Sequence, residues 1–104
     1  MIHKIDFSTA KALLDARSDA VLLDVREEEE YIAGHASGAV LLPVGQINAE
    51  TASRLPGAGP VLVYCRTGFR SHRAAMKLEK LGIDQIYDLG SLAGWPYGMR
   101  YGEE

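Results

Sequence analysis

The sequence predicts an α/β fold, a five-stranded, mostly parallel sheet flanked by helices on both faces. Three observations lead there. Short apolar runs recur along the chain with the length and content of strands buried on both faces. Stretches with helical spacing stand between them, and glycine- or proline-rich turns separate the two kinds. Strands alternating with helices in this way predict a sandwich with right-handed crossovers.

In chain order, Ile2 to Ile5 reads as a short edge strand. Ser8 is read as an N-cap with Phe7 as a staple before it, and Ala10, Leu13, Leu14 and Arg17 follow at helical spacing, predicting a helix over 9–17. Ala20 to Val25 is a continuous apolar run and a central strand. Glu27 to Glu30 open a helix whose macrodipole favours acids in its first turn, and Gly34 suits its end. These glutamates read as a solvated face. A loop from His35 to Gly38 leads to Ala39–Leu42, read as a third buried strand stopped by Pro43. A helix is expected over Gln46–Arg54, a turn over Pro56–Pro60, and the fourth core strand over Val61–Tyr64. Ala74, Leu78 and Leu81 repeat at i, i+4 and i+7, predicting a helix over Ser71–Leu81 with Gly82 just past its end. Gln85–Leu89 is the last strand, and Gly90–Gly98 has room for one short helical turn.

Composition narrows the function classes. The 104 residues suit one domain spanning 1–104, and 47% apolar content is enough for a real core. A net charge of −3 supplies no field for nucleic acid or an anionic membrane, so neither is an expected partner. The single cysteine excludes an intrachain disulfide and a Cys-rich zinc site. The N-terminal residues carry no long apolar stretch of the signal-peptide kind, and no run approaches a membrane span. A cytoplasmic location, where a thiol stays reduced, is the expectation.

The chemistry-bearing stretch is Pro60 to Arg73. It reads as a strand ending on Cys65, a short loop containing Gly68, and a helix opening near Ser71. Backbone N–H groups of residues 66–71 curled around the sulfur, the helix dipole, and the charges of Arg66 and Arg70 would all favour a thiolate, the nucleophilic form. The same cradle would suit a persulfide, an oxyanionic thiosulfate or a phosphate. Asp24 and Arg26 fall at another strand's carboxyl end, where ligands of parallel sheets bind. His72 is expected to face solvent and His35 to hydrogen-bond to backbone. No nucleophile elbow, GxGxxG, Walker pattern or histidine spacing for a metal is present, so no metal or cofactor is implied.

Leu22-Leu23-Asp24-Val25-Arg26-Glu27, Glu30-Tyr31, Gly34-His35 and Gly38-Ala39 resemble the N-terminal signature of the rhodanese-like domain. Val61 to Ser71, then Ala74-Ala75 and Leu81-Gly82, are similar to its active-site strand, loop and helix, and Tyr87-Asp88-Leu89-Gly90 through Gly94-Trp95-Pro96 to its C-terminal segment. The resemblance implies a five-stranded parallel sheet and a sulfurtransferase in which Cys65 takes sulfane sulfur from thiosulfate or a persulfide and passes it to cyanide or a thiol. It places Arg66, Thr67, Gly68, Phe69, Arg70 and Ser71 around the substrate. Asp24 and Arg26 become supporting residues, with Arg26 a structural ion-pair partner. Two further activities stay in view. One is a persulfide carrier exchanging sulfur with a protein partner through a basic surface of Arg66, Arg70 and Arg73. The other is a phosphatase or arsenate reductase on the same scaffold. Four residues separate Cys65 from Arg70, the sulfurtransferase spacing, whereas the related cell-cycle phosphatases carry one more. Phe69, Trp95 and Tyr97 are expected at the rim.

Overall fold

Alternation along the central strand decides the layering. Every residue of Val61–Cys65 is buried, with Val61, Val63 and Cys65 in one apolar cluster and Leu62 and Tyr64 in another. A period of two requires this of a strand covered on both sides. In the computed structural model, which describes residues 1–56 and 59–103, the chain runs β1 (Ile2–Lys4), α1 (Phe7–Ala16), β2 (Val21–Asp24), α2 (Glu28–Ala33), β3 (His35–Ala36), β4 (Val40–Leu41), α3 (Ala49–Ala52), β5 (Val61–Cys65), α4 (Phe69–Lys80), β6 (Ile86–Ser91) and β7 (Met99–Arg100). The main sheet has the order β1-β6-β5-β2-β4 with every neighbouring pair parallel. Ala74, Ala75 and Leu78 of α4 and Ala52 of α3 cover one face; Ala10 of α1 and Tyr31 of α2 cover the other. The predicted five-stranded parallel sheet with helices on both faces is the fold observed. No helix among the described residues is long and apolar enough to cross a membrane.

Several boundaries differ from expectation, each for a local reason. Helix α1 is capped by Asp6, whose carboxylate accepts the Thr9 N–H at 2.9 Å, so Ser8 lies inside the helix. Phe7 is its first residue and meets Trp95 edge-on at 5.3 Å. The third strand is neither long nor buried. As β4 it sits at the sheet edge with a neighbour on one side only, leaving Val40 half exposed. The helix expected from Gln46 is split into a 3₁₀ turn over Val44–Gln46 and the short α3, because Asn48 caps a new start by accepting the Thr51 N–H at 3.0 Å. The turn expected over Pro56–Pro60 falls partly on residues 57 and 58, outside the described residues.

Helix α4 begins at Phe69, two residues earlier than predicted, because Gly68 takes a left-handed φ of 96° and reverses the chain at once. It ends as expected beside Gly82 in a Schellman motif, with the Gly82 N–H donating to Glu79 O and the Ile83 N–H to Leu78 O. The last strand, β6, runs on to Ser91 after a bulge opposite Val63 and Tyr64. Beyond it no helix forms among the described residues. The chain makes one turn, Trp95 N–H to Leu92 O, and returns as β7 antiparallel to β3.

Candidate active site

Strand β5 carries Cys65 to the carboxyl edge of the sheet on the α4 side, where it is fully buried. The loop after it is held at its root by β6: the Leu92 N–H donates to Cys65 O at 3.0 Å, and the Ser91 hydroxyl to Arg66 O at 2.6 Å. Gly68 then turns the chain so that its own N–H points back at the thiol, 2.9 Å from Sγ. The Ser71 N–H, from the first turn of α4, also reaches Sγ at 3.3 Å. The Ser71 hydroxyl closes the loop by donating to Gly68 O at 3.1 Å. The N–H groups of Phe69 and Arg70, first in the helix, have no acceptor within their own element. Backbone donors thus converge where a sulfur anion would sit, and they cost no rearrangement when charge develops.

Around this cradle Arg66, Thr67 and Phe69 are exposed. Thr67 and Gly68 wall one side of an open cleft of about 380 Å³ whose other side includes Lys4, Asp88 and Ser91. Arg70 is committed elsewhere: its two Nη atoms donate to the Glu30 carboxylate at 2.6 and 2.9 Å. Those hydrogen bonds are the largest of the influences that hold the Glu30 carboxyl at about 2, well below the usual carboxylate range. They likewise push Arg70 up, with the charge at Cys65 a smaller contribution in the same direction. Glu30 is therefore no solvated face residue, as its run of four acids suggests, but a partner of the loop.

The residues from Cys65 to Ser71 are brought together; Asp24 and Arg26 are not brought to the sulfur. Asp24 is paired in register with Tyr64, so its side chain lies on the sheet face opposite Cys65. There it accepts the Tyr64 hydroxyl at 2.6 Å, Arg26 Nη2 at 2.7 Å and the Arg26 backbone N–H at 3.0 Å. Arg26 completes its commitments by donating to Gly34 O at 2.6 Å. Burial first, then the Asp24 hydrogen bond, push the Tyr64 phenol up. His35 is buried with Nδ1 2.7 Å from Tyr31 O, as the loop reading anticipated, and His72 is exposed. Trp95 is not at the rim. It packs among Ala10, Leu22 and Leu62 on the α1 face and meets Tyr97 edge-on, because its ring fills the space under Phe7. Ser91, Glu30 and Tyr64 are not signalled locally in the sequence, although alternation along the strand, which puts Val63 and Val61 on the Cys65 face, leaves Tyr64 to the opposite one. Among the described residues no group of His, Cys, Asp or Glu side chains could hold a metal ion.

A cysteine at a strand-to-helix turn, met by backbone N–H groups beyond the carboxyl edge of a parallel sheet, defines an anion-cradling thiol site. The chain belongs to the rhodanese-like domain family, whose model matches residues 6–96. It is similar to a sulfurtransferase of Allochromatium vinosum, 30% identical over 96 residues that cover 91% of this chain and 89% of that protein. Two Bacillus subtilis proteins are also similar: the uncharacterized YqhL, 39% identical over 73% of this chain, and the putative sulfur carrier YrkF, 31% identical over 85% of it. The chain spans 60% of the former and 47% of the latter. Among solved structures, the rhodanese-related protein of Thermoplasma volcanium superposes with a TM-score of 0.78 at 25% identity, covering 94% of this chain and 97% of that one.

Proposed function

We propose that the chain is a sulfurtransferase, one rhodanese-like domain that moves sulfane sulfur through a persulfide on Cys65. The observation that carries this reading is the pair of N–H donors on Sγ, from Gly68 at 2.9 Å and Ser71 at 3.3 Å. In the first half-reaction the Cys65 thiolate attacks the outer sulfur of thiosulfate. A new S–S bond forms, the old one breaks, and sulfite leaves with its electron pair. A persulfide donor reacts alike, releasing a thiolate. The N–H groups of Phe69 and Arg70, which have no acceptor within α4, are the donors we assign to the terminal sulfur of the product. In the second half-reaction cyanide or a thiolate attacks that terminal sulfur and Cys65 leaves as thiolate. Each step is a two-electron displacement between groups that the chain and its substrates supply. A lone thiol of this kind suits a reducing compartment such as the cytoplasm.

Incubation with thiosulfate followed by intact mass measurement tests the reading. The expected result is a gain of one sulfur atom on the wild type and none on Cys65→Ala. A wild type that gains nothing, or a gain that survives the substitution, overturns it.

A second reading, a carrier that hands sulfur to a protein, is favoured by the exposed Arg66, Phe69, His72 and Arg73 around the loop and by the similarity to a putative sulfur carrier. Such a carrier loads sulfur yet forms thiocyanate from cyanide only slowly. Sustained thiocyanate production excludes it. A phosphatase on this scaffold fits the four-residue spacing from Cys65 to Arg70 poorly.

A further inference from the structure

The loop has two arginines in sequence, but one of them does not face the cradle as a free cation. Arg70 is gripped end-on by Glu30 through both Nη atoms, at 2.6 and 2.9 Å, and the side chains of the pair are 29% and 25% exposed. Glu30 is itself fixed: its Oε1 also accepts the Glu27 backbone N–H at 3.0 Å, which ties the carboxylate to the start of α2. Glu27, Arg26 and Cys65 are the other charged groups whose fields reach this pair. The local sum of Arg66, Arg70 and Glu30 is therefore one positive charge, where the loop's own sequence implies two.

That sum bears on which donor the thiol takes. Thiosulfate is a dianion that must approach a thiolate and release a dianionic sulfite. A persulfide carries at most one charge on its reacting group and releases a thiolate. Cationic compensation matters more for the first, since Coulomb energy scales with the product of charges. Resting on the sulfur-transfer reading above, we propose that Glu30 is a specificity-determining positioning residue: by occupying both Nη atoms of Arg70 it withholds the guanidinium from oxyanionic donors and biases Cys65 toward persulfide donors. A part-exposed ion pair of this kind contributes little to folding. Its consequence lies in selectivity.

The test measures second-order rates of sulfur loading onto Cys65 by intact mass, with thiosulfate and with glutathione persulfide as probes. Glu30→Gln is isosteric and keeps an oxygen for the Glu27 N–H, so α2 retains its start. The expected result is a rise of about tenfold in thiosulfate loading with persulfide loading within about twofold of wild type. Glu30→Asp retains the charge but is one methylene too short for the two-point grip, and gives a smaller gain in the same direction. A thiosulfate-to-persulfide ratio unchanged in both variants overturns the proposal, whether the two rates stay level or fall together. A wild type that loads neither donor instead overturns the sulfur-transfer reading itself, so the two failures are distinct.

Discussion

Two constellations share the carboxyl edge of the sheet and face away from each other. On one side Asp24, Arg26 and Tyr64 form a buried side-chain network in which Asp24 accepts from both partners. On the other, Cys65 sits among backbone N–H groups, two of them on its sulfur and two more unclaimed within the helix. The first constellation is closed, and its geometry is useful only as it stands. The second has donors in reserve, which is what a site needs if charge is to appear there. Proximity along the sequence does not distinguish them; the face of the sheet does.

The contrast can be broken from either side. The largest effect on stability is expected from Asp24→Ala, which strands the Arg26 guanidinium and the Tyr64 hydroxyl in the interior. Loss of one partner from a buried pair costs about 3–5 kcal/mol, read by chemical denaturation, while the protein that remains folded still loads sulfur. Gly68→Ala acts on the other side. An added Cβ has room, its nearest neighbour being 3.6 Å away at Gly90, so the cost is the backbone strain of a left-handed residue, about 1–2 kcal/mol. Its N–H is displaced from Sγ as the strain relaxes, and the loading rate falls about tenfold to a hundredfold, the scale of a lost preorganised donor. Tyr64→Phe removes one hydroxyl from the closed network and leaves the Ala36 N–H without its acceptor, costing about 1–2 kcal/mol with sulfur loading unchanged.

The smallest effect is in acid. The Glu30 carboxyl is held at about 2 in the folded chain, below its reference value of 4.5, chiefly by the Arg70 hydrogen bonds. Its contribution to stability is complete above about pH 4.5 and is lost as pH falls through about 2. Thermal melting temperature should decline across that window, and Glu30→Gln should flatten this part of the decline. Equal slopes in the two proteins would remove the pair from the account.

How much of this the sequence disclosed follows from the range of each signal. Strands β2 and β5 are legible because a buried parallel strand is a continuous apolar run, and α4 because its apolar spacing from Ala74 to Leu81 holds over about two turns. Cys65 and its loop are legible because they are contiguous. Glu30 is not: it is one of four consecutive glutamates, and what singles it out is Arg70, forty residues away, brought near only when β2 and β5 pair and set the starts of α2 and α4 beside each other. The β3–β7 ribbon is two residues long on each side, too short for any periodicity to show. The sequence puts Asp24 at the right edge but does not give its face, because the register of β2 against β5, not the strand alone, sets Asp24 beside Tyr64.

The clamp at the root of the loop comes from outside the loop's own segment. Ser91 and Leu92 hold Arg66 O and Cys65 O, and β6, which delivers them, is inserted between β1 and β5. The strand that braces the thiol loop is thus supplied from well downstream of it, and its other neighbour is the first strand of the chain. Residues 61–71 contain the thiol, the turn glycine and the helix start, yet they cannot anchor the loop alone. The sulfur chemistry proposed for Cys65 is thus tied to completion of the sheet from both ends, since a half-built chain carries the thiol and its loop without the strand that braces them.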